Sequence, residues 1–328
     1  MLKAISLTLL VYFLIFFVSW GVFGYRISGW RALLLYFALY IVISTVLSRR
    51  ERKETPKILQ DLPGSGPIGR AGPTLSSLLF LSTTMLSALN PFQLAQQLRQ
   101  IVGQIRVWLR LRGRLPSPDT YLQKARYTLP FGGEWLALNG GTTPGNSHSW
   151  HILTQRYAYD FVIADGERRR HTGRGTRLDE YYCYGAPILA AADGTVARVS
   201  DGARDAPFVG YCIADFLGRD FRGNFVVIQH APSEFSFSAH LIPGSIVVRE
   251  GEAVRRGQPI GRCGSSGHSS EPHLHFHVQD HPDFFLGMGL PVRFDGVLVN
   301  GEGSTAESRA DSSGGACVQA GMSIRPLG

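Results

Sequence analysis

Three histidines at alternate positions, His273-Leu274-His275-Phe276-His277, carry the strongest chemical signal in this chain. Side chains of an extended strand alternate between faces, so the three imidazoles share one face while Leu274 and Phe276 point the other way, into a core. Imidazole suits zinc, and it also exchanges protons near neutral pH. The cluster therefore predicts a metal site with one or two histidines as ligands and another left free for acid–base work. A lone histidine would read more simply as a satisfied core or surface residue. Here the run Gly264-Ser-Ser-Gly-His-Ser-Ser-Glu-Pro272 delivers a turn-rich loop directly to the strand.

That context carries a resemblance. Gly261-Arg-Cys-Gly-Ser-Ser-Gly267 followed by Pro272-His-Leu-His-Phe276 resembles the lysostaphin/LytM-type zinc endopeptidases. Further pieces match in the same order: Gly185-Ala-Pro-Ile-Leu-Ala-Ala-Ala-Asp-Gly-Thr-Val196, Gly223-Asn-Phe-Val-Val-Ile-Gln-His230, Ser238-Ala-His-Leu241 and Gly251-Glu-Ala-Val-Arg-Arg-Gly-Gln-Pro-Ile-Gly261. Together they span roughly residues 128–295. The resemblance implies a zinc metalloendopeptidase that hydrolyses cross-link or stem peptides of peptidoglycan.

It also implies roles. His275 and Asp160, in Tyr157-Ala-Tyr-Asp-Phe161, would be metal ligands, with His240 and His273 as uncoordinated catalytic partners that handle protons and stabilise an oxyanion. A turn or capping role is the plainer reading of Asp160. A carboxylate inside an aromatic strand is costly without a partner, which favours the ligand role. A catalytic zinc takes about three protein ligands and keeps a position open. Many relatives place the first ligand as a His four residues before the Asp, where this chain has Arg156, and a guanidinium has no lone pair to offer. The third ligand is then His148 in Asn146-Ser-His-Ser-Trp150, with His151 and His277 as alternatives; His277 stands where the family commonly has Glu.

If no residue replaces the missing ligand, the chain is instead an inactive scaffold that binds cell wall or regulates another hydrolase. The joint presence of Asp160, His240, His273 and His275 favours the enzyme. A carrier-domain reading of Val247–Gly261 fails, because the segment has no Lys to bear biotin or lipoate.

The elements that must position these residues are short β segments between Gly, Asn and Asp turns: 157–163, 188–191, 195–199, 225–229, 245–248 and 273–278. They predict an all-β, β-dominated peptidase domain of antiparallel sheets over residues 116–300. The Pro/Ser-rich Leu115-Pro-Ser-Pro-Asp119 opens it as a linker. The tail 301–328, Gly/Ser/Ala-rich from Gly301 to Ala316, reads as disordered. Four cysteines, with no CxxC pair, exclude a disulfide scaffold and a zinc–thiolate site, and leave room for one disulfide.

The net charge of +8 is concentrated at one end. Residues 1–127 carry 16 Lys/Arg against 4 Asp/Glu, and the remainder 17 against 21. This asymmetry argues for a membrane-contacting basic region and against nucleic acid as partner. Between Lys3 and Arg26 lie 22 uncharged residues, and between Arg31 and Arg49 lie 17 more. Their lengths predict a transmembrane hairpin within residues 1–50, not a cleaved signal peptide. Residues 51–115 form a membrane-proximal region. Arg49-Arg-Glu-Arg-Lys53 favours the cytoplasmic side, so an extracytoplasmic catalytic domain calls for a third crossing, near 74–90. A helix lying at the interface is the alternative for that segment. Residues 94–114, with five arginines among Leu, Ile and Val, have the composition of a basic amphipathic helix on anionic headgroups.

Overall fold

Leu274, Phe276 and Val278 alternate with His275, His277 and Gln279 along the strand Leu274–Gln279, and this strand lies at the centre of the sheet. The computed structural model describes residues 62–300 and 315–327, with isolated positions before 62. The hairpin expected over 4–25 and 32–48, the basic cluster that follows it, and residues 301–314 lie outside the described residues.

Strands are numbered in chain order: β1 (Trp135–Asn139), β2 (Tyr159–Val162), β3 (Pro187–Leu189), β4 (Gly194–Ser200), β5 (Asn224–Ala231), β6 (Glu234–Leu241), β7 (Ala253–Val254), β8 (Pro259–Arg262), β9 (Leu274–Gln279), β10 (Gly289–Leu290), β11 (Val297–Asn300) and β12 (Ser323–Pro326). Ten of them form one antiparallel sheet in the order β11-β12-β1-β2-β9-β6-β5-β4-β7, with β10 paired to β9. A second sheet pairs β3 with β8. The expected antiparallel, β-dominated class is what the chain adopts. Leu274, Phe276 and Val278 enter the main core with Tyr159, Phe161, Val226 and Ile228. Burial of each such side chain contributes about 1.5–3 kcal/mol. The opposite face of β9 looks toward a smaller aromatic cluster of Phe225, Phe237, Phe284 and Phe285.

Two expectations give way. Residues 245–248 are irregular, with Val247 68% exposed after a Pro243-Gly244 turn, and the next strands are the short β7 and β8. The tail is not disordered to its end. Ser323–Pro326 inserts between β1 and β11, where Ile324 is fully buried, so the domain reaches well past residue 300. Among the described residues no disulfide is recorded.

Among the described residues, three continuous α-helices precede the sheet: α1 (Gly66–Ala71), α2 (Pro73–Leu86) and α3 (Pro91–Arg110). At 1.5 Å per residue the 14-residue α2 is about 21 Å long, short of a hydrocarbon core of about 30 Å. Among the described residues no single helix is long and apolar enough to cross a membrane, and the α2–α3 pair is bent by 103° at its break. The crossing expected near 74–90 is thus not a continuous span. Asn90 caps α3 by accepting from Phe92 N at 3.1 Å, which fixes the bend.

Candidate metal centre

Asp160 and His275 face each other as direct register partners of β2 and β9, and Asn139 of β1 lies opposite Asp160 on the other side. Partners on one face of an antiparallel pair stand within contact, so the pairing itself creates the row Asn139–Asp160–His275. Asn139 Nδ2 donates to Asp160 Oδ2 at 3.3 Å, and His275 Nδ1 lies 3.0 Å from Asp160 Oδ1. Sequence reasoning missed Asn139; its only signal was its place across the ladder, which a linear pattern does not expose.

His148 arrives on the loop before β2, with Nδ1 3.5 Å from Asp160 Oδ2. The flanking serines explain why it is held there. Buried Ser147 and Ser149 donate through Oγ to the carbonyls of Arg156 and Gln155, at 3.1 and 2.7 Å. Arg156 turns away from the cluster, its guanidinium 3.9 Å above the Trp150 ring. The residue standing where relatives often place a ligand thus pins the loop that carries His148. Gln319 braces the same loop from the chain's far end, accepting from Asn146 Nδ2 at 2.7 Å.

His240 owes its orientation to a β-bulge. The β5–β6 register slips between Asn224/Leu241 and Phe225/Ala239, leaving His240 as the extra residue, at φ +64°. Such a left-handed conformation is strained for a non-glycine residue and persists where surrounding structure enforces it. Its Nδ1 lies 2.6 Å from the Ser266 carbonyl, which can only accept, so Nδ1 carries the proton and Nε2 a lone pair. His273, just before β9, makes the same arrangement with the Glu271 carbonyl at 2.8 Å, and its Nε2 lies 3.6 Å from Asp160 Oδ1. The two rings are 4.7 Å apart. Gly267 permits the turn between them: at φ +76° a Cβ there would lie 2.4 Å from Gly223 N.

Behind His275 runs a relay. Gln279 Nε2 donates to the His281 carbonyl, so its Oε1 accepts from His277 Nε2 at 2.8 Å. His277 Nδ1 then accepts from His275 Nε2 at 3.1 Å. This network assigns the tautomers, and leaves His275 Nδ1 facing a carboxylate with no proton of its own. A cation or an added proton belongs between them. Burial lowers the pKa of His277 to about 3, which agrees with its neutral role. Burial also works against a charge on Asp160, but His148, His273 and His275 overcome it and hold the carboxyl well below the usual carboxylate range. Burial, with His273 and His275 alongside, keeps the pKa of His240 well below the ordinary histidine value.

His148, Asp160 and His275 supply the donor types that zinc takes. Ligands about 2.0–2.1 Å from a tetrahedral ion stand about 3.4 Å apart, close to the 3.0 and 3.5 Å measured from Asp160 to its two histidines. Among the described residues, no group of three or more His, Cys, Asp or Glu is arranged so that it could hold a metal ion as the side chains stand. The His148 side chain is 46% exposed, so the cluster opens to solvent on that side. The structure does not bring His277 to the donor set; it lies behind His275, in the relay. His151 is exposed on the surface of the same loop.

Residues 175–285 match Peptidase family M23. The match includes His240, His273, His275 and His277 and begins after His148 and Asp160. Among curated proteins, the chain is 33% identical over 94 residues to the peptidoglycan DD-endopeptidase ShyA of Vibrio cholerae, covering 29% of this chain and 17% of that protein. It is 28% identical over 117 residues to the cell division protein DipM of Caulobacter vibrioides, covering 36% and 16%. The chain thus spans about a sixth of the length of these relatives. Among solved structures, the catalytic domain of a mutant of the prophage-encoded M23 protein EnpA from Enterococcus faecalis is 20% identical, with a TM-score of 0.32, covering 50% of this chain and 93% of that one. A zinc-containing peptidase from Vibrio cholerae is 24% identical, with a TM-score of 0.31, covering 52% and 41%.

Proposed function

From its LytM/lysostaphin-type domain of peptidase family M23, we propose that this chain is a zinc metalloendopeptidase that hydrolyses peptides of peptidoglycan. The observation that carries the reading is the convergence of His148, His273 and His275 on the buried carboxylate of Asp160, with the His240 ring 4.7 Å from that of His273. Relatives named as peptidoglycan endopeptidases supply the substrate class.

His148, Asp160 and His275 would hold the metal. Zinc, when bound, supplies Lewis acidity toward a scissile carbonyl and lowers the pKa of water. The chain's own residues do the rest. His240 and His273, fixed through Nδ1 by backbone carbonyls, present Nε2 to accept a proton and, once protonated, to donate toward a developing oxyanion. Asn139 and the relay through His277 orient Asp160 and His275, so that little reorganisation accompanies the reaction. The scaffold reading drew on Arg156; with His148 beside Asp160, that departure still leaves three donors. We further propose that the segments 4–25 and 32–48 anchor the chain in a membrane with the domain on the extracytoplasmic side, where peptidoglycan lies; with no third crossing by α2 or α3, this carries the Arg49–Lys53 cluster to that side too, against the positive-inside preference.

The test is metal content and muropeptide cleavage by the purified full-length protein. Cleavage should stop with chelator and return with zinc, whereas His273→Ala should keep zinc and lose turnover. A wild-type protein that binds no zinc would sink the reading.

A further inference from the structure

Helix α3 is amphipathic the wrong way round for a soluble protein, and α2 beside it is apolar over most of its length. A surface helix ordinarily turns its apolar stripe to the core and its polar face to water. In α3 the glutamines face inward. Gln93, fully buried, donates to the carbonyls of Asp215 and Gly218 and pairs with His268 Nε2, each at 2.7 Å. Gln96 and Gln104 bond to the backbone of residues 219, 221 and 153. Gly103 lets the helix sit directly on the Phe285 carbonyl, where a Cβ would approach to 1.8 Å. In α2, Thr83 Oγ1 likewise accepts from Ala214 N at 3.0 Å.

The outward face is the apolar one. Leu94, Leu98, Ile101, Ile105 and Trp108 follow at helical spacing, and each is between 39% and 55% exposed. Among the described residues, thirteen of the twenty exposed large hydrophobic side chains fall between Leu75 and Leu109. So dense a patch marks an interaction surface. Arg106, Arg112 and Arg114 are exposed along and just beyond α3, and Trp108 is of the type that favours the membrane–water interface.

We propose that the α2–α3 face is a bilayer-embedded platform: both helices lie in the headgroup–acyl boundary of an anionic membrane, and their polar backs hold the peptidase domain against it. Three features select lipid over a protein partner. The patch extends over two helices bent by 103°, which lets both lie along one interface. Basic side chains flank it, as anionic headgroups require. Long uncharged stretches precede it in the chain. The inference goes beyond the peptidase reading and is independent of the metal. It gives the domain a fixed standing on the membrane, because α3 bonds to the loop carrying His148 through Leu153 and to the loop before His273 through His268.

The test uses the full-length chain reconstituted in vesicles of phosphatidylethanolamine and phosphatidylglycerol that contain a phospholipid with a photoactivatable acyl chain. After irradiation and trypsin digestion, peptides within 71–110 should carry lipid adducts. Replacing phosphatidylglycerol by phosphatidylcholine should reduce those adducts several-fold. The triple variant Leu98→Gln/Ile101→Gln/Ile105→Gln should lose adducts in 100–106 while peptides from 4–25 remain labelled. Adducts confined to residues 1–50 in the wild type, or cross-links of 94–109 to a second copy or to residues 1–61 in place of lipid, would overturn the proposal.

Discussion

Replacing His277 by phenylalanine isolates what the relay behind the metal centre contributes. Phe237 stacks on the His277 ring at 5.0 Å and Phe284 meets it edge-on at 6.0 Å, so a phenyl ring keeps the packing and deletes both nitrogens. His275 Nε2 then loses its acceptor and Gln279 Oε1 its donor. Losing the outer hydrogen bond of a metal-ligating histidine costs about 10–100-fold in metal affinity, equivalent to about 1.4–2.8 kcal/mol. His148→Ala removes a donor outright. If a zinc site is worth about 10–16 kcal/mol over its three ligands, one ligand accounts for about 3–5 kcal/mol, or several hundred- to several thousand-fold. Competition of the purified full-length protein with a chromogenic chelator at neutral pH reads both numbers on one scale. The expected order of zinc affinity is wild type, His277→Phe, then His148→Ala. Wild-type affinity in His277→Phe would refute the orienting role of the relay. A loss as large as that of His148→Ala would make His277 a ligand, and the assignment of His148 would fall.

Three further outcomes are expected. Burial, opposed by Asp215 and Asp220, lowers the pKa of His268 to about 4; the unfolded chain then binds its proton first as pH falls from about 6.5, so this group's stabilisation is complete above that pH and declines by up to about 3 kcal/mol toward pH 4, and a denaturant series on His268→Gln should show a flatter pH slope. Arg170 is buried against Glu271 at 3.0 Å, so Arg170→Met, leaving the carboxylate unpaired, should destabilise the domain by about 3–5 kcal/mol in urea unfolding. Gln319→Ala should weaken zinc binding severalfold while leaving the melting temperature within a few degrees, because its partners Asn146 and Thr142 belong to the loop leading to His148; unchanged affinity would show that the brace does not reach the metal.

The centre was legible in the sequence where its geometry is local. His275 and His277 share a face because a strand alternates, and Asp160 stood out as a carboxylate among aromatics. What the sequence hid depends on pairing between distant segments. Asn139 meets Asp160 only through the β1–β2 ladder, and His240 reaches the cluster only because β6 is bulged there. The choice among His148, His151 and His277 stayed open for the same reason: it turns on where a loop is pinned, and Ser147 and Ser149 do that through carbonyls that are invisible in a list of residue types. The tail misled because composition reports the Gly/Ser stretch and not the four residues beyond it that complete the sheet. For the helices, periodicity shows that α3 has two faces without saying which one turns inward.

The late strand β12 makes the timing of synthesis part of the chemistry. β1 emerges roughly 180 residues before its neighbour β12, a wait of about 10–40 s at ordinary rates of chain elongation. Through that interval β1 has one ladder partner too few, and the His148 loop has no Gln319 to hold it. The nascent chain therefore carries Asp160 and the histidines around it in an unfinished frame, which closes only when β12 has been delivered; whatever chemistry the cluster performs waits for that strand.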